Sequence, residues 1–208
     1  VNKDTEEKAV TFSPLLQKFS EKTPVSVMVQ GLLERLLNAE KIDHWFEDIG
    51  EVQYTKKVLF SSLVAIMLEV VCRVKDNVYS AYLDASIDAT RQAVYDKLKN
   101  VELKTSQELV RYIGSESEFI IREMKAIQAP LLTGYRTKFL DGNCIEASDK
   151  RLKPLRKTKA GALPGKSLVV FEQELGIVSD VFPCEDGHAQ ERSLLPEVLE
   201  TIQEGDLW

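Results

Sequence analysis

Three cysteines, two histidines and no long unbroken apolar run set the first limits on this 208-residue chain. Cys72, Cys144 and Cys184 lie far apart, with no C-x-x-C pair and no histidine-rich neighbourhood. Neither a disulfide framework nor a zinc site is suggested, and reduced thiols buried in a cytoplasmic protein are the plain reading. The opening V-N-K-D-T-E-E-K is charged and lacks the hydrophobic core of an export signal. The most apolar stretch, Val58 to Val74, is interrupted by Ser61, Ser62, Glu69 and Arg73, so it reads as a buried helix and no membrane span is expected. Internal repeats and low-complexity tracts are missing. Positive charge is short overall: a net charge of -6 argues mildly against nucleic acid as a partner, although a whole-chain sum hides local patches.

What is present is an ordinary globular composition, 44% hydrophobic and 29% charged, in a chain long enough for one large or two modest domains. From Thr23, with Pro24 at a first helical position, Val25, Met28, Val29, Leu32, Leu33, Leu36 and Leu37 repeat at helical spacing and predict a core stripe. Ile42, Trp45, Phe46 and Ile49 continue the period in a second helix ended near Gly50. Val58 to Val74 predicts a third, apolar nearly all round, around which the others pack.

Between Asn77 and Asn100 the pattern predicts a short helix over Ser80 to Ala85, a turn through Ser86 to Ala89, and a helix capped by Thr90, a helix-turn-helix over 80–99. Arg91, Gln92, Tyr95 and Lys97 are its candidate DNA contacts, since Arg and Gln read guanine and adenine edges in a major groove. Two surface helices of a bundle satisfy the same spacing. Ser106 to Ile113 and Glu116 to Gln128 predict two further helices, the second opened by Ser115 with Glu118 three residues on, and Ala129-Pro130 closes the helical region. A domain boundary is placed at about Leu132, giving units 1–132 and 133–208.

The next stretch, Tyr135 to Glu146, alternates as a strand with Asp141 mid-span on its exposed side, followed by Gly142. A carboxylate in that setting suits a hard cation such as magnesium, although an Asp at a strand end is more often a turn or surface acid. Beyond it the composition turns basic: Lys150, Arg151, Lys153, Arg156, Lys157 and Lys159 crowd a loop broken by Pro154, Gly161, Pro164 and Gly165. Such a loop is either a solvated hairpin tip or a grip on a phosphate backbone. Lys166 to Glu172 and Ile177 to Cys184 predict two more strands in an antiparallel meander. A helix with Leu194, Leu195, Val198, Leu199 and Ile202 on one face follows, capped by Ser193 and ended by Gly205, and Asp206 to Trp208 enter a fourth strand. The fold class is therefore α+β: an all-helical part, then strand, strand, strand, helix and the start of a strand.

That order, with an Asp in the first strand, is the order of a ribonuclease H-like fold. The residues add to it. T-P-V-S-V-M-V-Q-G-L-L-E-R-L-L, L-F-S-S-L-V, V-V-C-R-V, A-V-Y-D-K-L, G-Y-R-T-K-F-L-D-G-N, R-L-K-P-L-R, and the long run from L-P-G-K-S-L-V-V through D-V-F-P-C-E-D-G-H-A-Q-E-R-S-L-L give a chain that resembles bacterial DDE transposases of the insertion-sequence-four family over nearly its whole length. The resemblance implies a nuclease and strand transferase in which three acids hold two Mg2+ or Mn2+ ions. It further implies double-stranded DNA as partner, at transposon ends and target, and a homodimer on that DNA. The first acid falls on Asp141. The second belongs a few residues into the fourth strand and the third on a later helix, so with Val1 and Trp208 both reading as cut ends, the chain alone is expected to bind divalent ions weakly and not to cut DNA. Asp180, Asp186, His188 and Glu191 are candidate substitutes, and nothing in their spacing forces coordination. Three functions stay open: the N-terminal part of an active transposase, a truncated product that binds transposon ends and competes, and a helical interaction protein with no DNA role.

Overall fold

The computed structural model describes residues 21–50, 57–145, 165–184 and 190–208. Among the described residues six helices precede a four-stranded mixed sheet, so the α+β expectation holds at that level. Helix α1 spans Pro24–Leu36, with proline in the first turn as its sequence predicts. Its stripe is not core, however: no residue of α1 is buried, and Val25 is 66% exposed. Helical periodicity guarantees one apolar face but not a partner for it. Among the described residues the C-terminal end is what engages, with Leu37 packed on the helical core and Leu33 and Leu37 lining an apolar cavity of about 510 Å³ beside Phe60, Leu63, Met67 and Leu109.

Helix α2, Ala39–Ile49, is capped by Asn38, whose side chain accepts from the Lys41 amide, and it buries Ile42 and Phe46. It ends at Gly50 as expected. Asp43 on α2 then caps the next helix, α3, Phe60–Val71: its carboxylate accepts from the Ser61 amide at 2.8 Å and the Ser61 hydroxyl at 2.7 Å. Phe46 and Phe60 stack with centroids 4.3 Å apart, joining the two. The predicted all-round burial of α3 is half right. Phe60, Leu63 and Ile66 are buried, while Met67 and Val71 face outward, and Arg73 at φ 57° ends the helical path short of Val74.

Helices α4, Val78–Asp84, and α5, Arg91–Lys99, are the two expected around the turn. Asn77 and Ser80 form a capping box at the first, and Thr90 accepts from the Ala93 amide at the second. Ala81 and Val94 enter the core, which gathers residues from α2 to α5.

Two helices were expected between Ser106 and Gln128, and one is found: α6 runs unbroken over Leu103–Glu123. Ser115 does not cap. Its hydroxyl donates back to the Tyr112 carbonyl at 2.9 Å, the arrangement a serine adopts inside a helix, and Glu118 pairs with Arg122 instead of closing a box. The helix stops at Glu123, well before Pro130, where Lys125 takes φ 52°. Leu109 and Tyr112 pack on the helical core, and the same helix lies against the third strand through Arg111 and Gly114. Gly114 matters there because Ser179 backbone atoms come within ordinary contact distance of where a Cβ would sit. The placed boundary at Leu132 thus follows a helix that touches both halves.

Strands β1, Arg136–Ile145, β2, Gly165–Glu172, and β3, Ile177–Cys184, form the expected antiparallel meander, with a bulge at Val170/Phe171. A short 3-10 turn, Glu191–Ser193, leads into α7, Leu195–Leu199. This helix is shorter than predicted. Leu194 and Val198 are buried, but Leu195, Leu199 and Ile202 are exposed, and Gly205 at φ 86° turns the chain into β4 instead of ending the helix. Strand β4, Asp206–Leu207, pairs parallel with β1, so the sheet order is β3-β2-β1-β4. Leu168, Val170 and Phe182 meet Leu194 and Val198 in a second core, with Leu140 and Trp208 against it. Among the described residues no helix is long and apolar enough to cross a membrane.

Candidate functional site

The α4–turn–α5 unit is held by its own polar groups. The Tyr82 hydroxyl donates to the Ala89 carbonyl at 2.8 Å across the turn, and the Ile87 amide donates to the Ala85 carbonyl at 2.8 Å. Of the four candidate DNA contacts on α5, Arg91, Gln92 and Tyr95 are exposed. Arg91 lies over the Tyr79 ring, its guanidinium carbon 5.4 Å from the centroid, and Gln92 donates its amide to Asp96 at 2.7 Å. Lys97 is turned inward instead. Its ammonium donates to the Val58 carbonyl at 2.5 Å and sits over the Phe46 ring, and burial lowers its pKa against the pull of Asp43. A lysine committed to a core carbonyl is poorly placed to meet a phosphate. Helical spacing puts Lys97 about one and two-thirds turns from Arg91, and nothing in that spacing discloses the Val58 carbonyl beneath it.

Strand alternation puts Thr137, Phe139 and Asp141 on one face of β1 and Arg136, Lys138, Leu140 and Gly142 on the other. The first face is open toward its middle. Phe139, Phe171 and Val178 lie in register on three strands and all are exposed, with the two phenylalanine rings 6.4 Å apart. Asp141, two residues along β1, is exposed beside Val169. On the opposite face, a Cβ at Gly142 would run into the Glu191 carboxylate, so the glycine after Asp141 is what lets Glu191 rest on the strand. Spacing alone could not select Glu191, because the contact depends on the fold bringing the 3-10 turn onto β1.

The other candidate acids separate. Asp180 is bound by the Arg111 guanidinium through two bonds of 2.9 Å, and Arg111 also meets Glu108. The hydrogen bond to Asp180 holds Arg111 above its ordinary range. Asp186 and His188 lie outside the described residues, as does the basic stretch with Lys150, Arg151, Lys153, Arg156, Lys157 and Lys159.

Sequence reasoning missed a cluster of charges on the Leu140 face. The Asp206 side chain is fully enclosed and accepts from Arg136 at 2.6 Å and from Lys138 at 3.1 Å. Burial pushes the Asp206 carboxyl up, but the Gln203 amide and the two cations outweigh it and hold it below the usual range. Glu172, opposite Lys138 on β2, goes the other way: burial raises it, and Lys138 and Arg136 offset only part of that. Lys138 also lies over the Trp208 ring.

For a divalent cation, Asp141 fits as one exposed oxygen ligand. Among the described residues no group of three or more His, Cys, Asp or Glu side chains is close enough to hold one. No family model, no curated protein and no solved structure matches the chain.

Proposed function

We propose that the chain is the N-terminal part of a DNA transposase of the DDE type, similar to the insertion-sequence-four family, with a ribonuclease H-like sheet that carries metal-dependent phosphodiester cleavage and strand transfer at transposon ends. The observation that carries this reading is the sheet: three antiparallel strands, then a fourth returning parallel beside the first, in the order β3-β2-β1-β4, with Asp141 exposed on β1. The register supports it further. Thr137 pairs with Leu207, and Asp141 stands four residues beyond Thr137, so a β4 continued in the same register sets its fourth residue past Leu207 beside Asp141. That is where the family's second acid belongs.

In this reading Asp141 holds one side of a Mg2+ or Mn2+ ion. With two ions held as the resemblance implies, one would activate a water or a 3'-hydroxyl and the other would stabilise the leaving oxygen of the phosphodiester. The α4–α5 unit grips duplex DNA through Arg91 and its neighbours, and the loop containing Lys150 to Lys159 adds sequence-independent phosphate contacts. The test is Asp141→Ala in the complete natural protein, assayed on a duplex carrying the element's ends. Cleavage should fall by roughly a thousandfold or more, with gel-shift affinity unchanged at fixed salt. Wild-type cleavage in that variant would sink the proposal. A competitor role for the 208-residue chain itself is favoured by the absence, among the described residues, of a group of acids gathered round Asp141, and divalent-ion-dependent cleavage by this chain alone would exclude it.

A further inference from the structure

We infer that Tyr79 is a positioning residue that aims Arg91 at a guanine edge and thereby sets the sequence preference of the α4–turn–α5 unit. This rests on the DNA-binding reading above. Arg91 opens α5 at the end where the helix dipole is positive, so the helix itself does nothing to steady a cation there. What steadies it is the ring of Tyr79 from α4, 5.4 Å away. A guanidinium resting on a ring uses none of its five N–H donors in doing so, which leaves the planar fork able to meet the two acceptors of a guanine.

The neighbouring polar groups of α5 are spent differently. Gln92 is bonded along the helix to Asp96, and Lys97 is drawn down to the Val58 carbonyl. Arg91 is therefore the candidate at the start of α5 whose partner is a ring face and not an acceptor. The helices that carry ring and guanidinium are held in relation to each other, because Tyr82 to Ala89, Ile87 to Ala85 and the Thr90 cap tie down the turn between them. A long side chain held in one arc before binding loses less rotamer freedom on contact. The ring supplies this, and the hydroxyl does not enter. Tyr79 is 43% exposed, so its truncation leaves the helical core alone.

The experiment is selection by the full chain from a pool of duplexes randomised over about twenty base pairs, enough for a half-site and its flanks. The wild type should enrich a motif with one invariant guanine, and Tyr79→Phe should enrich the same motif. Tyr79→Ala should bind the unselected pool with the same salt dependence while its preference for that guanine falls roughly tenfold. Arg91→Ala should lose the same guanine, with no further loss in the double variant. Undiminished guanine preference in Tyr79→Ala, or a wild-type motif without a guanine, overturns the inference and leaves DNA binding standing. Failure of the wild type to retain the pool in a salt-dependent way overturns the DNA-binding reading and the inference with it.

Discussion

With its side chain enclosed between β4 and β1, Asp206 is the residue on which the charges of the sheet balance. Removing its charge strands Lys138, whose side chain is 12% exposed, and leaves Arg136 without its strand partner. Asp206→Asn should cost about 3 kcal/mol, the usual penalty for breaking an enclosed ion pair, read as a shift in the urea midpoint at neutral pH. The pH dependence follows from the directions of two shifts. The Asp206 pKa is depressed on folding, so its contribution is full above the ordinary carboxylate range and is lost as pH falls through the depressed value. That of Glu172 is raised, so its ionised form costs stability and acidification through the raised value relieves the cost. Asp206→Asn should therefore lose less stability than the wild type between neutral pH and a pH of about 3. A steeper loss in the variant would contradict the assignment.

At the scale of elements, the caps decide which sequence patterns are real. Thr90 and Ser115 both precede a plausible helix start, yet Thr90 accepts from an amide three residues on and Ser115 bonds backward to Tyr112. Thr90→Ala should destabilise the protein by about 1 kcal/mol, whereas Ser115→Ala should stay within about 0.5 kcal/mol, both measured by thermal or chemical unfolding. A large loss at Ser115 would restore the two-helix expectation. The strands were more legible than the helices. The apolar run Leu168 to Phe171, the turn at Gly176 and the extent of β3 all read directly from alternation and turn residues, because a period of two leaves few alternatives. The stripe of α1 misleads for the opposite reason: Val25, Met28 and Val29 satisfy helical periodicity whether or not anything packs on them.

For the whole molecule, the order of elements could be read from the chain, but the way they meet could not. Asp141 on a strand and Arg91 at a helix start are local facts, visible in alternation and capping. The seating of Glu191 on Gly142, the inward turn of Lys97 and the pairing of Asp206 with Arg136 each join residues far apart in sequence, and no local pattern encodes them. Helix α6 belongs to the same class. Its two packed faces make the helical core and the sheet neighbours, where Ala129-Pro130 and the short connector after it marked a boundary.

The parallel contact of β4 with β1 also has a consequence in time. Arg136 and Asp206 are 70 residues apart, so during synthesis the outer edge of β1 leaves the ribosome long before its partner exists. Until then β2 can close only the other side, and the bare edge is a template for pairing between nascent chains. Pulsed hydrogen exchange during refolding should find the meander amides protected first and the Arg136 amide, which donates to Gly205, protected last. Simultaneous protection would mean that β4 docks as fast as the meander forms. The charges of Arg136, Lys138 and Asp206 then acquire a second use: before docking, the two cations on β1 lack Asp206 and have Glu172 of β2 as the carboxylate beside them, and the positive charge left over on an open edge discourages one unfinished chain from adding itself to another.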